Sequence, residues 1–179
     1  MRALFTIDQK NYDPALPRVY RPSVRAIILC GDRIAMAFVA KYGYYKFPGG
    51  GIEAGESHTD ALIREVREET GLLVDADSIR PFGMVRRVLL STDGSHIFDQ
   101  ENFYYLCEAR EGGVSDPDET EREEGFALFY VTIPDAIRAN RKPGLPYIHA
   151  SMAEREARVL ELLRDGEPVG TGIARPPKQ

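Results

Sequence analysis

The chain has 179 residues, 43% of them hydrophobic and 28% charged, a balance that suits one soluble globular domain with a real core. Its net charge of −5 supplies no long-range attraction for nucleic acid or an anionic membrane, so an anionic substrate has to be drawn in by bound metal and a few local Arg or Lys side chains. Cys30 and Cys107 lie outside any C-x-x-C pattern and read as small buried hydrophobes. No apolar run approaches the roughly 20 residues that span a bilayer, and the N-terminus lacks a signal-peptide core, so a cytoplasmic protein with no membrane partner is expected.

The first 22 residues combine a short strand-like piece, Leu4 to Ile7, with Pro14, Pro17 and Pro22, and read as an extended arm laid over the domain or across a homodimer. The domain proper is expected over residues 23–165. Val24 to Cys30 and Ile34 to Ala40 are β-rich runs around a turn at Gly31-Asp32, which predicts a hairpin. Tyr42 to Phe47 reads as a short strand that runs into Gly49, Gly50 and Gly51.

From Ser57 to Thr70 the spacing predicts a helix. Ser57 with Asp60 resembles a capping box, and Gly71 suits a left-handed helix end. Leu62, Val66 and Ala61 or Ile63 form its inward face. At about 100° per residue, Glu65, Glu68 and Glu69 reach one other face. Like charges at these spacings repel by a few tenths of a kcal/mol per pair, a cost with no local return unless a cation is bound among them. Hard divalent ions such as Mg²⁺ or Mn²⁺ meet that need and commonly bridge to substrate phosphates. Piece by piece, the same residues also describe an ordinary solvated helix after a flexible turn.

Leu72 to Val74 is a short strand. Ile79 to Leu90 is a longer one, with a break expected at Pro81 or Gly83, and Asp93-Gly94 predicts its hairpin with Ile97 to Ala109. Phe103, Tyr105 and Cys107 alternate with Tyr104 and Leu106, as in a central strand covered on both faces. Glu111 to Gly125 reads as an acidic loop, Phe126 to Val131 as strand, and Pro134 to Asn140 as helix. The last helix is expected over Ser151 to Arg164, capped by Ser151 and Glu154, with Met152, Leu160 and Leu163 on its apolar stripe. Residues 166–179, rich in Pro and Gly, read as a mobile tail.

The run from Gly50 to Leu72 resembles the Nudix box: G, five residues, E, seven residues, R-E-U, one residue, E-E, one residue, G-U, with U a bulky aliphatic. Gly50, Glu56, Arg64, Glu65, Val66, Glu68, Glu69, Gly71 and Leu72 fill every specified position. The resemblance implies an α/β Nudix fold, a mixed β-sheet sandwiched between α-helices, and covers about residues 22–140. It also implies metal-dependent hydrolysis of a diphosphate linkage in a nucleoside diphosphate derivative or nucleoside triphosphate. Carried over by position, Glu65 and Glu69 are the central ligands of Mg²⁺ or Mn²⁺, Glu68 is a further one, and the Gly50 carbonyl is a backbone ligand. Arg64 orients a carboxylate, with Glu56 as its partner.

In this family the general base migrates between a box glutamate and an acid on a distant loop. Glu121, Glu123 and Glu124 offer themselves here, Glu121 first, against the alternative of a solvated acidic loop. Arg25, Arg86 and Arg87 lie in predicted strands, where a charged side chain needs a partner, either a substrate phosphate or an internal carboxylate. Phe47, Tyr44 and Tyr104 are candidates to stack on a base, Phe47 foremost, unless the core claims them. His58, His96 and His149 form no cluster.

The signatures of coenzyme A and NADH pyrophosphatases are missing around the box, and Pro81 comes too early for the proline of many ADP-ribose enzymes. Small nucleotides or damaged nucleoside triphosphates remain, with sugar nucleotides and dinucleoside polyphosphates behind them. A catalytically silent nucleotide-sensing module is the competing reading. Isomerase chemistry on a prenyl diphosphate has no motif support from Cys30 or Cys107.

Overall fold

In a computed structural model, residues 1–166 are described. The backbone runs through β1 (Ala3–Asp8), β2 (Arg18–Tyr20), β3 (Ser23–Ile27), β4 (Leu29–Cys30), β5 (Arg33–Val39) and β6 (Tyr44–Lys46) to helix α1 (His58–Thr70). It continues through β7 (Leu73–Val74), β8 (Arg80–Leu90), β9 (Ile97–Leu106), β10 (Ala109–Arg110), α2 (Glu119–Glu124), β11 (Phe126–Thr132), α3 (Ile133–Asn140) and α4 (Tyr147–Arg164).

The two long apolar runs pair as expected. β8 and β9 form an antiparallel hairpin from Arg80↔Leu106 to Leu90↔Ile97, and the break expected at Pro81 or Gly83 is a register shift between those two residues. Parallel partners complete a mixed sheet, with β1 along β8 and both β2 and β3 along β9. The N-terminal segment therefore pairs within its own chain. In the second sheet β5 carries β11 on one edge and the short strands β4 and β6 on the other.

Alternation along the strands sorts side chains into two layers. Val24 and Ala26 of β3 pack with Ala61, Leu62 and Val66 of α1, against Phe103 and Tyr105 of β9. On the other side Ile27, Val85 and Tyr104 pack under Val159, Leu160 and Leu163 of α4 and Ala136 of α3. This is the helix, sheet, helix sandwich expected from the sequence.

Two expectations are corrected, and a third lies mostly outside the described residues. The acidic segment is not all loop, because Asp118 caps α2 in a full capping box with Glu121. The last helix starts directly after Pro146, four residues before Ser151. Ser151 is instead a buried residue inside α4, its hydroxyl unpartnered among the described residues, while Glu154 pairs with Arg141. No breaker interrupts Tyr147 to Ala150, so the helix extends back to the proline. The tail expected from residue 166 lies, from 167 onward, outside the described residues.

Candidate active site

The glycine loop is held against β3. Val24 N–H donates to the Gly50 carbonyl at 3.0 Å, Ala26 N–H to the Pro48 carbonyl at 2.8 Å and Ile52 N–H to the Pro22 carbonyl at 3.1 Å, so the loop continues the sheet beyond β3. Two glycines in it are required by space. A Cβ on Gly49, whose φ is 132°, falls 2.2 Å from the Val24 carbonyl oxygen, and one on Gly50 falls 2.2 Å from Glu65 Oε2. The Glu65 carboxylate is thus seated against the Gly50 backbone.

Helix α1 begins and ends as its sequence predicts. Ser57 Oγ accepts from Asp60 N–H and Gly71 closes the helix at φ 71°. Burial of Leu62 and Val66 turns Glu65 and Glu69 toward the loop, which gives the acidic face its direction.

Arg64 organises one side of the site. It binds Glu56 with two bonds of 2.8 and 2.9 Å, donates to Glu65 Oε1 at 2.8 Å and Glu68 Oε2 at 3.2 Å, and donates to the Gly51 carbonyl at 3.0 Å. The Arg64 bonds hold the Glu56 carboxyl down at about 2. For Glu65 burial is the larger influence and pushes its pKa up, with Arg64 opposing.

Glu69 is buried. One of its oxygens accepts from Gly49 N–H at 2.8 Å and the other lies 3.5 Å from Lys46 Nζ. Burial pushes its pKa up to about 7, against the fields of Lys46 and Arg25, and Glu121 adds to the rise. Glu68, by contrast, keeps 45% of its side-chain surface.

Among the described residues no three His, Cys, Asp or Glu side chains already converge as a ligand cluster. The donor set nevertheless fits a hard divalent ion. Glu65 and Glu69 are carboxylates one turn apart whose charges burial penalises, and the Gly50 carbonyl retains a second lone pair beyond the one given to Val24.

The remaining expected residues divide. Glu121 stands near enough to act on Glu69, but on helix α2, where its carboxylate accepts from Asp118 N–H at 3.0 Å. Arg25 is 6% exposed and also acts on Glu65 and Glu69. Phe47 does not serve as a stacking platform: it is fully buried, edge-on to Tyr104 at 5.4 Å between ring centroids, because β6 ends beneath α4. Tyr44 and Tyr104 are equally enclosed.

Arg86 is likewise withdrawn from the expected set. It makes two bonds of 2.8 and 2.6 Å to Asp99, the internal carboxylate that was its alternative partner. His149 bonds to the Tyr44 hydroxyl at 3.2 Å and stacks on Tyr42. Lys46, Gly49 and Arg155 were not anticipated. A lone cation in the apolar run Tyr44 to Phe47 was the available signal for Lys46, and for Arg155 it was helical spacing, which places it with Met152 and Val159.

The NUDIX domain family model matches residues 19–152. Among curated proteins, an RNA pyrophosphohydrolase of Halorhodospira halophila is 33% identical over 49% of this chain and 52% of its own length. The uncharacterized Nudix hydrolase YvcI of Bacillus subtilis is 31% identical over 41% of this chain and 44% of its own. An RNA pyrophosphohydrolase of Acinetobacter baylyi is 45% identical over 30% and 33%. The chain thus spans about half the length, or less, of these relatives.

Two solved structures share the fold. The MutT protein of Bacillus halodurans superposes with a TM-score of 0.53 at 21% identity, over 66% of this chain and 72% of that one. The ORF135 protein of E. coli gives 0.52 at 19% identity, over 84% and 95%.

Proposed function

Since the chain belongs to the Nudix family, we propose that it is a divalent-metal-dependent hydrolase that cleaves a diphosphate linkage in a small nucleotide, either a nucleoside triphosphate or a nucleoside diphosphate derivative. The observation that carries this reading is the pair of Glu65, half-buried, and Glu69, buried, one helical turn apart and turned to the backbone of Gly49 and Gly50. Mg²⁺ or Mn²⁺ held there by Glu65, Glu69, the Gly50 carbonyl and the more exposed Glu68 would offset charge on the phosphoryl oxygens and acidify an attacking water.

The chain's own residues have distinct tasks in this account. Arg64, tied down by Glu56 and the Gly51 carbonyl, fixes the rotamer of Glu65. Lys46 and Gly49 N–H do the same for Glu69. Glu121 is the candidate base, held by the α2 cap on the side of Glu69. A net charge of −5 favours small nucleotides over long RNA, while the names of two relatives bring a triphosphorylated RNA end into the range of substrates to be tried.

The test is product release with Mg²⁺ or Mn²⁺ from nucleoside triphosphates, ADP-ribose, sugar nucleotides, dinucleoside polyphosphates and 5′-triphosphorylated RNA. Turnover of one class, reduced at least tenfold by Glu121→Gln, supports both the hydrolase and its base. Binding of a nucleotide without turnover of any class replaces the hydrolase with a sensor.

A further inference from the structure

Beneath α4 the sheet presents cations where a core is expected. β-strand register places Ser23 opposite Asn102, Arg25 opposite Tyr104 and Arg87 opposite Gln100, so both arginines share the face of the sheet that α4 covers. Arg155 and Glu156 of α4 close over them: Tyr104 donates to Glu156 at 2.9 Å, and Arg155 donates to Asn102 and Glu156. Arg25 and Arg87 are 6% and 4% exposed, and Arg155 and Glu156 are 0% exposed.

This cluster is unbalanced in charge and in hydrogen bonds. Within the layer beneath α4 three guanidinium groups meet one carboxylate, Glu156, an excess of two positive charges on that layer, with Arg25 also in the field of Glu65 and Glu69. Nε and Nη1 of Arg25, Nε and Nη1 of Arg87 and Nε of Arg155 are buried without a hydrogen-bond partner among the described residues. Among the described residues Arg87 has one hydrogen-bond partner, Gln100 at 3.2 Å, and the Phe98 ring beneath its guanidinium. Burial and the repulsion of Arg155 and Arg25 lower its pKa to about 9, as for a cation lacking its counterion. Buried guanidinium groups of this kind ordinarily meet an anion with several acceptor oxygens.

We propose that the buried Arg25, Arg87 and Arg155 cluster receives the terminal phosphoryl group of the nucleotide substrate, a dianion with three non-bridging oxygens. The inference rests on the hydrolase reading above. Two negative charges match the excess on that layer, whereas an internal phosphoryl group of the polyphosphate bears one. Three bare oxygens can take up the unpartnered donors. Arg25, which also acts on Glu65 and Glu69, links this seat to the acidic pair. Substrates that end in a free phosphoryl group are therefore preferred over those in which both ends of the polyphosphate are esterified.

The test has two arms. In the first, metal-free protein is titrated with orthophosphate by calorimetry at constant ionic strength. Wild type shows saturable binding, and Arg87→Met, checked for folding by circular dichroism, weakens it by about tenfold or more. Absence of saturable binding to wild type overturns the proposal without any variant. In the second, kcat/KM is measured for a nucleoside triphosphate and for a dinucleoside triphosphate, which lacks a terminal phosphoryl group. The ratio of the first to the second falls about tenfold or more in Arg87→Met. An unchanged ratio overturns the assignment, and does so even if orthophosphate binds, since the cluster then serves free phosphate and not substrate. If wild type cleaves neither nucleotide, the hydrolase reading fails on its own account, while the calorimetric arm still decides whether the cluster holds a phosphate dianion.

Discussion

Gly49 and Gly50 are neighbours, yet a methyl group at each meets a different obstacle. At Gly49 it strikes the Val24 carbonyl, backbone that cannot swing aside, in a conformation that L side chains rarely adopt. At Gly50 it strikes the carboxylate of Glu65, the far end of a side chain that can turn away. Gly49→Ala should therefore cost stability, about 1–3 kcal/mol in urea unfolding. Gly50→Ala should leave the unfolding midpoint closer to wild type while lowering kcat at least tenfold, because the displaced carboxylate is one of the proposed metal ligands. Equal losses of stability in the two variants would mean that Glu65 has no freedom to move. These contacts also show what spacing conveys and what it does not. The box named Gly50 and Glu65, but only the approach of the loop to β3 reveals why Gly49 is needed as well.

Among the elements, α1 was legible because periodicity, cap and C-terminal glycine agree, and the structure starts it one residue after Ser57. Helix α2 was not, because its six residues, E-T-E-R-E-E, offer no apolar stripe, and its one clear signal, Asp118 three residues ahead of Glu121, was passed over as part of a charge run. The cap has a consequence for function, since the bond from Asp118 N–H holds the carboxylate proposed as base. Asp118→Ala should cost about 1 kcal/mol of local stability, seen as roughly fivefold faster hydrogen exchange at the α2 amides with little change elsewhere. Unaltered exchange would show that α2 is held by its contacts with β11 and not by its cap. Helix α4 was misjudged at its start for a related reason: Ser151 and Glu154 carry the letters of a capping box, but Pro146 had already supplied a place to begin. The misplaced start did not hide Arg155 and Glu156, which already shared the helical spacing of Met152 and Leu160; their charge is what kept them from being recognised as facing the sheet.

At the scale of the whole molecule, the layered fold followed from the hairpin of β8 and β9 and from α1, while the ion pairs that join distant segments had no local signature. Asp99 ties the N-terminal Arg18 to Arg86 at 2.9 and 2.6 Å. Arg86, and after it Arg18, hold its carboxyl below the usual carboxylate range, against the effect of burial. A carboxyl with a depressed folded pKa contributes stability at pH values above its ordinary pKa of about 4, and loses that contribution as pH falls through the folded value. Asp99→Asn should thus be less stable than wild type near pH 7, by about 1 kcal/mol given the exposure of both arginines. The gap should close as pH falls below about 4, which paired denaturant titrations at several pH values will detect. A gap independent of pH would assign the loss to packing. The same absence of local signature hid the arginine cluster: Arg25 and Arg87 are far apart in sequence, and their imbalance exists only once α4 lies over β3 and β8.

The central claim is that Glu65 and Glu69 together hold the catalytic metal. It is tested most directly by measuring Mn²⁺ affinity and kcat on one cleaved nucleotide for wild type, Glu65→Gln, Glu69→Gln and the exposed control Glu123→Gln. The account predicts that each of the first two variants binds Mn²⁺ more weakly and loses about 100-fold or more in kcat, roughly 2.7 kcal/mol of barrier, while the control stays within about twofold of wild type. Wild-type Mn²⁺ affinity and turnover in both Glu65→Gln and Glu69→Gln would contradict it.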